Sequence, residues 1–231
     1  MTQNTRSPSR RTVLKTVGAA TALGLTGCLA SGEERPDDVI LPPPENYDAL
    51  RDADLPYPIY GELVPEAAVP DVLTGEPVST RQFVDQRALL LTFVYTRCEG
   101  ICLSLGSNLV HAQAAAADAG VSDEIALVAI SFDPAYDTPE RLRAWGRERG
   151  LDYESGNAHL LRPESPERAR TVVEGRFGEA YERNDQGEGM PFLHTGLILL
   201  VNEGAVVERA YAGEPPQPAT VVDDVETLLG V

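Results

Sequence analysis

Cys98 and Cys102 stand four positions apart in "YTRCEGIC", directly after the apolar run "LLLTFV". Two sulfurs at this spacing can close a disulfide, pass electrons as a dithiol, or clamp a soft metal ion. A disulfide across three intervening residues constrains the unfolded chain very little and so adds little stability. Redox couples at a helix start more typically have two intervening residues. A metal clamp suits the four-residue offset but needs a third ligand, because two thiolates rarely complete a site.

The elements that must position these sulfurs are readable from pattern. "RALLLTFVYT" (87–96) and "EIALVAISFD" (124–133) are apolar runs with β-branched members, the mark of strands buried on both faces. Between them "CLSLGSNLVHAQAAAADAG" (102–120) is rich in Ala and Leu and stops at Gly120, as a helix does. Thr138 with Pro139, and Ser165 with Pro166, each read as an N-cap followed by proline at the first helical position. "TGLILLVNEGAVVERAYAG" predicts a hairpin around Asn202, Glu203 and Gly204, and "PATVVDDVETLLGV" a final helix. This order predicts an α/β, thioredoxin-like fold, a central mixed sheet flanked by helices. Cys98 then follows the C-terminal end of a central parallel strand, and Cys102 opens the next helix, where open α/β sheets place their sites. Helix N-terminal amides favour thiolate there; Arg97 is expected to help and Glu99 to oppose.

The fold also sorts the three histidines. His111 lies nine residues beyond Cys102 on the same predicted helix, about 13 Å away and out of reach. His159 begins a short parallel strand and belongs toward the opposite end of the sheet. His194 precedes a strand expected to run antiparallel, which brings it to the cysteine end. Geometry therefore selects His194 as the third ligand. Asp133 is a further oxygen near the site, read chiefly as a turn former.

Charge and termini bound the rest. The 231 residues carry 36 acidic against 19 basic side chains, and Lys15 is the single lysine. Such a surface repels nucleic-acid phosphates, so no nucleic-acid partner is expected. With 42% apolar residues to form a core, the acidity predicts a halophilic domain kept soluble where salt screens self-repulsion. Residues 1–27, with Arg10 and Arg11 ahead of "VGAATALGLTG", read as a twin-arginine export signal too short to span a bilayer once mature. It ends in "LTGC", similar to the lipobox of lipoproteins, which makes Cys28 the expected lipidated N-terminus. Removing those residues, four of them basic and none acidic, takes the formal charge from −17 to −21. Residues 28–58 are acidic and Pro-rich and are expected to be an unordered spacer that tethers a single domain, 59–231, to the outer face of the membrane.

Three blocks, "LLLTFVYTRCEGIC", "ISFDPAYDTPERLRAW" and "FLHTGLILLVNEGAVV", resemble in order and spacing the signatures of the Sco/SenC family, over roughly residues 60–231. The resemblance implies a thioredoxin-like, monomeric domain that binds copper through Cys98, Cys102 and His194. It also implies a partner, the copper-site subunit of a respiratory oxidase, since the family assists assembly of the binuclear copper centre of cytochrome c oxidase as copper donor, thiol reductant, or both. Two thiolates and a neutral imidazole suit Cu(I), and Asp133 or water is then an option for a fourth place with Cu(II). The sequence departs from the family pattern at Glu99 and Leu103, where proline usually follows each cysteine. It departs again at Leu193, where an acidic residue usually precedes the histidine; that removes an expected carboxylate partner for the imidazole. Two other functions fit the same residues: a thiol-disulfide oxidoreductase using Cys98 and Cys102, and a peroxide-reducing enzyme forming a sulfenic acid at Cys98.

Overall fold

A computed structural model describes residues 38–184 and 191–231. In chain order its elements are α1 (Tyr47–Arg51), β1 (Ala68–Pro70), β2 (Pro77–Ser79), β3 (Ala88–Val94), α2 (Ile101–Ala119), β4 (Ile125–Ser131), α3 (Pro139–Arg149), β5 (Ala158–Leu161), α4 (Pro166–Val173), β6 (Tyr181–Arg183), β7 (Phe192–His194), β8 (Leu197–Val201), β9 (Val207–Ala212) and α5 (Pro218–Leu229).

Five strands form the central sheet in the order β5-β4-β3-β8-β9. β3, β4 and β5 are parallel, whereas β8 lies antiparallel against β3, with Leu90 opposite Leu200, and turns back into β9. Every residue of β3, β4 and β8 is buried, which is why these strands read as continuous apolar runs rather than as alternation. The sheet is mixed and flanked by helices, and the fold is thioredoxin-like, as the element order predicts.

Local signals act where expected. Thr138 Oγ1 accepts the Arg141 amide at 3.3 Å and Ser165 Oγ accepts the Arg168 amide at 3.1 Å, each with proline opening the helix. α2 terminates on Gly120 at φ 78°. In the β8–β9 turn, Asn202 Oδ1 accepts the amides of Gly204 and Val206, and the left-handed position falls on Ala205 (φ 63°) rather than on the glycine.

The spacer expected over 28–58 is corrected by the structure from residue 38 onward. Leu41 is buried, and the amides of Ile40 and Leu41 donate to the two carboxylate oxygens of Glu208 at 2.8 and 2.9 Å. Asp38 O accepts from Asn202 Nδ2, Pro42 O accepts from Arg209, and Leu41 O accepts from the Tyr60 hydroxyl. The segment has too little apolar area to order itself, but it borrows order from a buried carboxylate on β9. The domain thus begins well before residue 59. The expected export signal, Arg10, Arg11 and Cys28 lie outside the described residues. Among the described residues no helix is long and apolar enough to cross a membrane.

Candidate metal centre

β3 delivers the chain to the site and α2 receives it. After Val94 the backbone turns through Tyr95 to Cys98, whose amide donates to Tyr95 O at 3.2 Å. Asp137, fully buried at the head of the loop before α3, accepts the amide and hydroxyl of Thr96 and the hydroxyl of Ser131, pinning the strand exit two residues before the first sulfur. α2 starts at Ile101 with no side-chain cap, and while the Leu103 amide donates back to Gly100 O at 3.0 Å, other first-turn amides are left for the site. One of them, Cys102 N–H, points at Cys98 Sγ across 3.4 Å.

His194 arrives from the other side of the sheet. It ends β7, opposite Tyr181 in the β6–β7 hairpin, and precedes β8, the antiparallel neighbour of β3. The link into β8 passes through Gly196 at φ 78°, where a Cβ would come within 2.4 Å of Ile101 Cδ1. The left-handed backbone at this position favours glycine, and the link packs directly against the Ile101 side chain at the start of α2. Aromatic rings wall the site. Tyr95 and Phe132 pack on the imidazole with centroids 6.0 and 5.1 Å away, and the Tyr95 hydroxyl donates to Phe192 O, tying the hairpin to the end of β3.

The result is a buried cluster. His194 Nε2 lies 3.3 Å from Cys102 Sγ, and the two sulfurs and one ring nitrogen all fall within 4.8 Å of one another, close enough to hold a metal ion. No disulfide joins Cys98 to Cys102. The hydrogen bond from Cys102, outweighing burial and reinforced by His194, holds Cys98 down at about 4. Burial, with the negative charge of Cys98, pushes the Cys102 thiol up. Burial opposes a charged His194, but its hydrogen bonds to Cys98 and Glu179 prevail and raise it to about 9. The metal-free state is therefore a thiolate and an imidazolium beside a neutral thiol.

The other ring nitrogen is also engaged. His194 Nδ1 donates to Glu179 Oε1 at 2.9 Å, and the same buried carboxylate accepts the Gly196 amide at 2.8 Å and the Thr195 hydroxyl at 2.9 Å. The expected loss of a carboxylate partner at Leu193 is thus made good by a residue that sequence reading passed over. Leu193 itself faces solvent.

One other expectation needs correction. Arg97, expected to favour the Cys98 thiolate, is paired instead with Asp133 and stacks on Tyr136. Asp133 is the turn former it was chiefly expected to be, its carbonyl accepting the amides of Tyr136 and Asp137; its carboxylate pairs with Arg97 and lies outside the ligand cluster. His111 is on the exposed side of α2, where Ser107 O and Oγ face its Nδ1. His159 on β5 is bonded to Asp71 at 2.9 Å, and neither histidine joins the cluster.

Fold and site together define a thioredoxin-like domain with a dithiol–imidazole cluster at the C-terminal end of its central strand. The family model described as SCO1/SenC matches residues 73–230, and the chain belongs to that family. Similar solved structures include a SCO1/SenC family lipoprotein from Bacillus anthracis, 20% identical with a TM-score of 0.60, covering 72% of this chain and 94% of that one. Arabidopsis thaliana ScoI with copper bound is 18% identical with a TM-score of 0.59, over 74% of this chain and 100% of that one. Yeast Sco1 with copper bound is 14% identical with a TM-score of 0.58, over 73% and 89%. No curated protein matches the chain in a sequence search.

Proposed function

We propose that this protein binds one copper ion through Cys98, Cys102 and His194 and serves the assembly of the binuclear copper site of a respiratory cytochrome c oxidase. The observation that carries the reading is the convergence of those three ligand atoms within 4.8 Å in a chain of the SCO1/SenC family. Two sulfurs and an imidazole nitrogen are a soft set that favours Cu(I), with a net site charge of −1 for Cu(I) and 0 for Cu(II). Three protein ligands leave a coordination position open to an acceptor's ligand, which suits delivery rather than storage.

Titration of the reduced protein with copper tests this reading. One ion per chain is expected, lost in Cys98→Ala, Cys102→Ala and His194→Ala and kept in His111→Ala. Retention in His194→Ala would remove the third ligand. A second reading, reduction of the target's cysteines, is favoured by the lowered Cys98 pKa, since thiolate is the attacking species in thiol-disulfide exchange. If reduction is the main activity, His194→Ala keeps dithiol exchange after copper binding is gone.

The tether belongs to the proposal as well. Twin-arginine export and lipidation of Cys28 would hold the domain on the outer membrane face, and mass spectrometry of the mature N-terminus tests both. Asp38 sits against Asn202, just beyond the end of β8 remote from His194.

A further inference from the structure

We propose that Glu179 is the positioning residue of this metal centre, fixing which nitrogen of His194 meets the metal. The inference rests on the copper reading above. Three consecutive residues converge on its one carboxylate: His194 through Nδ1, Thr195 through its hydroxyl and Gly196 through its amide. All three are donors, so the carboxylate acts as acceptor only and keeps a proton on Nδ1. That leaves Nε2, the atom 3.3 Å from Cys102 Sγ, to present its lone pair to an ion once the imidazolium proton has gone.

Glu179 is not itself a ligand. Both oxygens are occupied by donors and the group stands outside the ligand cluster. Its own placement is rigid. The Glu179 amide donates to Val173 O at the end of α4, and the preceding Gly178, at φ 68°, lies so close to Pro56 that a Cβ would meet its carbonyl oxygen. The segment around Pro56 and α4 therefore aim the carboxylate, and the carboxylate aims the ring. A hydrogen-bonded carboxylate also makes the imidazole a stronger donor, and its negative charge favours the more highly charged ion, so Cu(II) should depend on Glu179 more than Cu(I).

The test uses the full chain, reduced, with Cu(I) presented against a competing chelator and with Cu(II) added directly. Glu179→Gln keeps the size of the side chain and one oxygen, but removes the charge and replaces one of the two accepting oxygens with a donor, so the ring loses a partner that can only accept. Its affinity for Cu(I) should fall about 10- to 100-fold with one ion still bound. Its affinity for Cu(II) should fall further, and the Cu(II)/Cu(I) potential should move upward. Glu182→Gln removes an equal charge from the exposed face of β6, outside the ligand cluster, and should bind copper within about twofold of wild type. Unchanged affinities in Glu179→Gln, or equal losses in the two variants, overturn the assignment. A direct readout avoids any dependence on variant folding: in wild-type protein loaded with diamagnetic Cu(I), long-range ¹H–¹⁵N correlations should place the His194 proton on Nδ1. A proton on Nε2 refutes the role of Glu179 while leaving copper binding intact; a wild-type chain that takes up no copper refutes both.

Discussion

Without metal, Cys98, Cys102 and His194 hold two protons among three ligand atoms, and each titrates according to its neighbours. Cys98 falls from 9.0 to about 4, so it stabilises the folded state in full above pH 9 and loses that contribution as pH falls through 4. His194 rises from 6.5 to about 9, so its contribution is complete below pH 6.5 and disappears as pH rises through 9. Between 6.5 and 9 the two trends oppose each other. The stability difference between wild type and Cys98→Ala, measured by urea unfolding of reduced protein, should therefore shrink as pH is lowered from 6.5 toward 4; a difference independent of pH would contradict an ionised Cys98. Metal uptake must expel the protons of Cys102 and His194, so copper affinity should rise with pH across the same span. The residues that supply this chemistry were legible as types: two cysteines at a helix start, and the one histidine placed at their end of the sheet. Glu179 was not legible. It lies fifteen residues before His194 in a stretch without periodicity, and only the folded hairpin brings it to Nδ1.

At the scale of elements, β3, β4, α2 and the capped helices α3 and α4 follow from local pattern, because burial on both faces, an N-cap hydroxyl and a following proline leave marks in a few adjacent residues. The short pairs β1–β2 and β6–β7 leave none, being three residues long and defined by partners. The strap from Asp38 to Pro58 is the extreme case. Its composition reads as spacer, and its order comes from Glu208, 168 residues beyond Ile40. Glu208→Ala would strand two backbone amides and the Asn202 amide group in a buried setting, so a loss of roughly 2–4 kcal/mol is expected. Chemical denaturation measures that loss, and limited proteolysis should show new cleavage within 38–58. A variant as stable and as protease-resistant as wild type would mean the strap is held by other contacts.

Across the whole molecule, the core and the surface obey different constraints. The central strands β3, β4 and β8 are buried and apolar, while the chain as a whole carries a formal charge of −17 and one lysine. At low ionic strength the Debye length grows to about 30 Å at 0.01 M, so charges repel across the full width of the domain. Molar salt confines that repulsion to about 3 Å. The midpoint of thermal unfolding should accordingly rise steeply with KCl concentration, with structure lost at low salt; a midpoint indifferent to KCl would leave the acidity without this role. The proposed lipidation site, Cys28, is not among the three ligands of the cluster, so Cys28→Ser should leave the copper stoichiometry unchanged.

The proposed copper site requires that two sulfurs and one imidazole nitrogen grip the same ion. X-ray absorption of the Cu(I)-loaded protein measures that most directly. Two sulfur scatterers and one nitrogen are predicted, with the nitrogen contribution lost in His194→Ala. A shell of sulfur alone, or a nitrogen contribution that survives the substitution, would contradict it.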